Sequence, residues 1–578
     1  MTSSRRCGVH RGISFLFILM VLIFSCLYFS AKVPVSSENL DEFGLLPIIE
    51  LNDTELRERR VKLLENFITS LQESTRLATG GEDESDWFTE EARVKWNREN
   101  PCLSRREMRL QYKQRKHVPY VEPNSQWQEV LREYSKLHRT CLHRIGDPVA
   151  YFTSQNSTVE CKFTILDTEL AAGLGNRLVM IASAFAYSLI TQRVLLIARP
   201  GILPPQLLCE PFEGSSWLHF DPNQLVTPFN RDSRGLGSYW NKSGSFHSRI
   251  DIARGAEGGD DTSQLIMDYA VANGEGGYTE QLDSRFFCDT EQDYYKNVTW
   301  VYIMGCIYFA PKLYAVPSFR PVLDALFPDK MMLTNLLRDV MSPSDVVWEQ
   351  VKSIQRDYGL QRADRRLGIQ VRYRYQKEQF DRMDRVVEAR IWQCAINNHL
   401  LPPVVTNSRR MLPHVSNRTT SVFVASLFDG VKNNLSDTFA TYPTETGEHV
   451  EVFQFSHEGL QKFGVKIFQD ALAEIITLSY SDYLFVTPQS TFSGVAQAYG
   501  GLIPWFIGFR DELETRPPCT RGQTVDTCFQ VPLDYVFQCR YDSAVHRKEI
   551  STVYPDIQKC LEADTPGLQL ITKQPEIP

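Results

Sequence analysis

Between residues 163 and 197 the chain reads as a strand, a glycine-rich loop, a helix and a second strand, and that order restricts the fold more than any other feature. Phe163-Thr-Ile-Leu166 is an apolar β-type run, residues 177–191 carry Leu178, Ile181, Phe185 and Leu189 at helical spacing, and Val194-Leu-Leu-Ile197 follows. Strands joined through a helix run parallel, so the unit implies a parallel sheet covered by helices. The same style returns later: residues 367–371, 422–425, 450–453 and 483–486 read as strands, and 469–480 as a helix with Ala471, Leu472, Ile475 and Leu478 on one side. We therefore expect an α/β protein of two doubly wound, Rossmann-like halves, residues 102–360 and 361–515, with a cleft between them.

Residues 13–31 carry no charge and, at about 1.5 Å per residue, just span a bilayer core. Arg5, Arg6 and Arg11 precede the run, whereas Lys32 is soon followed by Glu38, Asp41 and Glu42, so the positive-inside rule predicts a cytosolic tail (1–12), a signal anchor (13–31) and a lumenal remainder. A cleaved signal peptide is the rival reading, but the run is longer than an ordinary h-region and no small-x-small site follows it. Six sequons, at Asn52, Asn156, Asn241, Asn297, Asn417 and Asn434, agree with lumenal exposure. Residues 32–101 are polar and charged and read as a stem, in which Leu56, Leu63, Leu64, Phe67, Ile68 and Leu71 form one helical stripe. That stripe is either an amphipathic stem helix or a short dimerisation helix, which leaves a homodimer through stem or anchor open. Residues 79–86 read as a flexible acidic linker.

Of 13 cysteines, Cys7 falls in the tail and Cys26 in the apolar run, leaving an odd number on the lumenal side, where most should pair. Cys519, Cys528, Cys539 and Cys560 suggest a disulfide-stapled extension, residues 516–578; without a C-x-x-C pair or clustered histidines a zinc site is disfavoured. A net charge of −8 and the lack of a long basic run argue against nucleic acid as a partner.

Two stretches carry chemistry. Ile369-Gln-Val-Arg372 is a buried strand ending in a guanidinium, and a later strand leads to Ser490-Thr491-Phe492. An arginine and paired hydroxyls at two strand ends can hold a diphosphate between two loops, which points to a nucleotide-activated donor. The loop Gly173-Leu-Gly175-Asn176-Arg177 opens a helix, whose N-terminus favours anionic or hydroxyl-rich groups; with Leu178 in the third glycine's place it is not the dinucleotide fingerprint. Each residue has a plainer reading: Arg372 as a salt-bridged strand end, Ser490 as a helix cap, Phe492 as core.

Taken together, Gly173-Leu-Gly-Asn-Arg177, Leu208-Cys-Glu-Pro-Phe212 with Ser216-Trp217, Leu367-Gly-Ile-Gln-Val-Arg372, and Ala471-Leu-Ala-Glu474 leading to Ser490-Thr-Phe492 and Gly500-Gly-Leu-Ile-Pro-Trp505 resemble the plant-type galactoside 2-α-L-fucosyltransferases. Shorter matches at Arg285-Phe-Phe-Cys-Asp289, Val316-Pro-Ser-Phe319, Thr446-Gly-Glu448 and Ser456-His-Glu458 keep the same order, so the resemblance covers about residues 160–510. It implies a two-domain, B-type glycosyltransferase anchored in the Golgi membrane. The enzyme would use GDP-β-L-fucose, invert the anomeric carbon and act on a galactose-terminated glycan. Arg372 would then neutralise the diphosphate, with Gly175, Asn176, Arg177, Ser490, Thr491 and Phe492 around the donor. His457 either reaches the guanine or is half of a surface pair with Glu458. Asp289 is the carboxylate to test as base, or merely caps the segment after Cys288. No Asp-x-Asp occurs, so arginine in place of a metal is the consistent reading and no cofactor is expected. Departures from the family pattern lie at Met304-Gly305-Cys306-Ile307, at Tyr373-Arg374 and at Pro488-Gln489, and residues 231–283 form a long insert read as a surface loop. Two other readings remain: a relative with a changed acceptor or donor, and an inactive lectin-like Golgi subunit.

Overall fold

The computed structural model describes residues 53–147, 160–168, 173–197, 206–217, 264–267, 286–296, 300–305, 307–372, 380–406, 416–455, 464–508, 517–528, 554–560 and 567–572. The tail, the apolar run at 13–31, His457 and the sequons at Asn52, Asn156, Asn241 and Asn297 lie outside them. Among the described residues no helix is long and apolar enough to cross a membrane.

Two sheets organise the chain. The first has order β2-β1-β4-β3, all parallel, built from β1 (Phe163–Thr168), β2 (Val194–Ile197), β3 (Gln264–Met267) and β4 (Trp300–Gly305). The second has order β10-β9-β8-β5-β6-β7, from β5 (Arg365–Val371), β6 (Thr419–Ser426), β7 (His449–Gln454), β8 (Tyr483–Val486), β9 (Trp505–Ile507) and β10 (Cys519–Arg521). Only β10 in it runs antiparallel. A small hairpin, β11 (Ile557–Lys559) with β12 (Leu568–Leu570), closes the list. Their runs of Val, Leu, Ile and Phe suit strands with both faces covered. β3 lies inside the 231–283 insert expected as a loop; its Leu-Ile-Met run completes the edge of β4.

Eight helices matter here: α1 (Asp53–Thr79), α2 (Ser104–Lys113), α3 (Ser125–Ile145), α4 (Leu174–Ile190), α5 (Met332–Asp339), α6 (Phe380–Asn397), α7 (Val465–Ser479) and α8 (Thr491–Gly500). α4 is buried almost all round, as a helix between two layers must be. One apolar core runs from β1 and β2 through α4 into α7 and α8, and residues 63–578 form one compact unit containing both sheets. A second, smaller core lies around β5, β6 and α6.

The expected stem is docked from Leu63 onward. Leu64 and Leu71 of α1 are fully buried in the main core, and Ser70 and Ser74 hold Gln192 in the turn before β2. The acidic segment at 79–86 is pinned as well: Glu82 pairs with Arg144 at 3.0 Å and Glu84 accepts from the Arg139 Nε, both on α3. Opposite charges on a neighbouring helix turn the expected linker into a tie.

Four disulfides join described cysteines: Cys102–Cys209, Cys141–Cys161, Cys394–Cys519 and Cys528–Cys560; Cys288 is bonded too. Cys519 is thus not part of a local staple but ties β10, beyond residue 515, to α6. Because that bridge closes a loop of 125 residues, the double change Cys394→Ser/Cys519→Ser should cost about 2–5 kcal/mol, read from a denaturant midpoint.

Candidate active site

β5 and β8 are parallel neighbours, with Gln370 opposite Val486, so the residues after their C-terminal ends meet. The Arg372 backbone N–H donates to Thr487 Oγ1 at 3.2 Å, and that hydroxyl donates to Gln370 Oε1 at 3.1 Å. The base of Arg372 is therefore fixed by the strand next door. Arg372 is exposed as a residue, and no carboxylate among the described residues pairs with it. The salt-bridged strand end is thus not what is found. Surrounding protein still strips enough water to hold its pKa below the usual arginine value.

Ser490 caps α8 in position but not in bonding. It is buried, its Oγ has no hydrogen-bond partner, and the helix has no side-chain cap. A buried hydroxyl without a partner costs roughly 1–3 kcal/mol unless a ligand supplies one. The preceding Gln489 sits at φ +62°, a left-handed conformation that turns the chain sharply into α8. Sharp turns held at a site of this kind are a common place for stored backbone strain.

From the other half comes α4, whose N-cap, Gly173, also brings no capping side chain. A Cβ on Gly175 would lie 2.7 Å from Phe492 N and Thr491 C, so only glycine allows the two helix starts to abut. The Thr491 hydroxyl and Asn176 Oδ1 form a short hydrogen bond across this junction. Two helix N-termini without side-chain caps, each carrying a partial positive charge, thus abut, and the strand end that carries Arg372 is tied to Thr487, three residues before Ser490. Helix starts of this kind favour anionic groups such as phosphates.

The expected residues do not all face it. Gly175 and Asn176 meet Thr491, which follows Ser490 at the start of α8, Arg372 is bonded to Thr487 on the same approach, and Phe492 is half-buried at the edge of the main core. Arg177 is buried, its guanidinium 5.0 Å above the Phe468 ring, so it packs α4 against α7. Asp289 Oδ1 accepts from the Ser318 backbone N–H at 3.1 Å, an anchoring contact. Among the sequons, Asn417 is exposed just before β6, whereas the Asn434 amide is spent on Glu388 at 2.5 Å. Thr487 is the residue that sequence reasoning missed; its place just after β8, one residue past the Gln370–Val486 pair, was the available signal. A cavity of about 360 Å³ lined by Gln111, Gln355, Arg366 and Tyr480 opens at the other ends of β5 and β6, whereas ligands of parallel sheets bind at the carboxyl ends. No group of three or more potential metal ligands occurs among the described residues.

Two mostly parallel sheets flanked by helices define an α/β protein of glycosyltransferase-like fold. The sequence profile of the xyloglucan fucosyltransferase family matches residues 96–540, and the chain belongs to that family. It is 32% identical over 489 residues to the galactoside 2-alpha-L-fucosyltransferase of Arabidopsis thaliana, covering 82% of this chain and 81% of the relative. Probable fucosyltransferase 8 of the same plant is 29% identical over 535 residues, 88% and 93% of the two chains. Among solved structures, A. thaliana FUT1, determined as an arginine-to-lysine mutant in complex with GDP, matches with a TM-score of 0.64 at 30% identity, over 81% of this chain and 96% of that one.

Proposed function

We propose that the protein is an inverting transferase that moves L-fucose from GDP-β-L-fucose to the 2-hydroxyl of a terminal galactose on a xyloglucan- or arabinogalactan-type glycan. One observation carries this reading: the N-termini of α4 and α8 meet without side-chain caps, with the Ser490 hydroxyl buried and without a partner among the described residues, and the strand end bearing Arg372 is bonded to Thr487 just before them. As the glycosidic bond breaks, negative charge grows on the departing GDP. Donors fixed in advance stabilise that charge without reorganising. Arg372 offers a planar fork to phosphate oxygens, and Ser490 and the first-turn N–H groups add to it. The acceptor oxygen attacks the face opposite the leaving group, which inverts the anomeric carbon. Through a loose, oxocarbenium-like transition state the hydroxyl becomes acidic late, so a weak base or water suffices.

Asp289 is the carboxylate to test as that base. Asparagine can still accept the Ser318 N–H through Oδ1, so a merely anchoring role leaves Asp289→Asn within a few-fold of wild-type kcat, whereas loss of a base would cost about 10²-fold or more. Since the charge is met by arginine and helix ends, EDTA should leave initial rates unchanged; reversible loss of turnover restored by Mg²⁺ or Mn²⁺ would contradict this.

A second reading, the same donor with a different acceptor, is favoured by Gly305. It ends β4 opposite Thr168, at the carboxyl edge of the first sheet, and offers no side chain there. We place the enzyme in the Golgi lumen as a single-pass type II protein, on the strength of the uncharged run at 13–31 and the disulfides. GDP release followed with GDP-fucose and a panel of galactose-terminated glycans tests the function. Acceptor-dependent release with a fucosylated product supports transfer and names the acceptor; GDP binding without release from any acceptor overturns it in favour of a binding-only protein.

A further inference from the structure

The far end of α8 is held by two buried arginines. Arg115, in the turn after α2, donates from Nη1 to the Ser479 carbonyl at 3.2 Å and from Nη2 to the Gly500 carbonyl at 2.6 Å, the last residues of α7 and α8. Arg338 of α5 donates from Nε to the Tyr499 carbonyl at 2.6 Å. Both are buried, and both lie over the Tyr112 ring, their guanidinium carbons 5.0 Å and 4.4 Å from its centroid. The Tyr112 hydroxyl is itself bonded to Ser479 Oγ at 2.5 Å. No carboxylate hydrogen-bonds either guanidinium among the described residues.

Two cations buried side by side without a bonded anion are costly. Burial, and then the charge of Arg338, push the Arg115 pKa down to about 9. What offsets the cost is the carbonyl ends of α7 and α8, which carry partial negative charge. The two guanidiniums therefore satisfy the last carbonyls of both helices and place positive charge at the negative end of α8. α8 has 10 residues, roughly 15 Å of helix, and its opposite end is the uncapped N-terminus at Ser490. Cancelling the negative end of a helix leaves the positive potential at its other end less opposed.

We propose that Arg115 and Arg338 are positioning residues for the donor diphosphate: they fix the carboxyl end of α8 and, by neutralising it, raise the anion affinity of its N-terminus. This rests on the donor site proposed above, and the pair touches neither donor nor acceptor. It adds a second tier of cations behind Arg372, drawn from segments outside the glycine-rich loop and the Ser490-Thr491 stretch.

The test is titration of the full chain with GDP and with guanosine, for wild type, Arg115→Gln, Arg338→Gln and Arg338→Lys, each with a thermal melt. Each glutamine variant should bind GDP roughly three- to tenfold more weakly. Guanosine binding should be unchanged, and Arg338→Lys, which keeps the charge, should stay within about twofold of wild type for GDP. Unchanged GDP affinity in the glutamine variants, or equal losses for GDP and guanosine, overturns the proposal in favour of a structural role. Should the glutamine variants fail to fold, a folded Arg338→Lys that loses affinity for GDP but not guanosine still overturns it, because its charge is retained. Wild type that binds neither ligand refutes the donor reading itself, and the inference falls with it.

Discussion

Arg372→Lys lowers kcat/KM for fucosyl transfer by about 10²–10³-fold while the thermal melt stays close to wild type. The charge is kept, but one ammonium cannot reproduce a planar fork aimed at two phosphate oxygens. The fold is spared because what holds this segment is the backbone N–H of Arg372 on Thr487 and the β5–β8 pairing, not the guanidinium. With no carboxylate partner among the described residues, its removal strands no buried anion. Near-normal transfer by the lysine protein contradicts the diphosphate role.

Gly175→Ala is the second large effect, and its sign is informative. In an ordinary helix, alanine for glycine stabilises by about 1 kcal/mol. Here the added methyl would stand 2.7 Å from the backbone of Thr491 and Phe492, atoms that cannot swing aside. α4 and α8 must part, which breaks the Thr491–Asn176 bond and spreads the two N-termini. Overpacking of this kind costs roughly 1–3 kcal/mol, and a misplacement of about 1 Å at a reacting centre can cost up to about 10²-fold in rate. The variant should therefore show a lower melting temperature and a donor KM raised tenfold or more, about 1.4 kcal/mol of lost binding. A raised melting temperature with unchanged KM would mean that the helix starts need not touch.

Much of the architecture was legible because it is local. β2 and β8 lie at the residues their apolar runs indicate, and β5 and β6 extend those runs by a few polar residues that pair at the strand starts. The family resemblance is borne out by the match over residues 96–540. What was not legible depends on partners distant in sequence. Nothing in the stripe of α1 says that Leu64 and Leu71 insert into the main core, since a free amphipathic helix has the same periodicity. β3 is a short strand in a polar segment, recognisable only once β4 offers it an edge. At the site, Arg372 and Ser490 could be paired by reasoning, as both follow parallel strands at the same sheet edge. The abutment of Gly175 on Thr491, across more than three hundred residues, could not. Arg177 was read as polar at a helix start, but its guanidinium stacks on Phe468, a contact set by tertiary packing. Likewise Cys519 sits among C-terminal cysteines in sequence and beside Cys394 in space.

The most direct measurement is a crystal structure of residues 63–578, soaked with GDP, read for the position of the two phosphates. They should lie between the starts of α4 and α8, within hydrogen-bond distance of the Arg372 guanidinium and the Ser490 hydroxyl. GDP seated elsewhere, for instance in the cavity near Gln355 and Arg366, or bound with Arg372 and Ser490 both out of reach, would contradict the account at its centre.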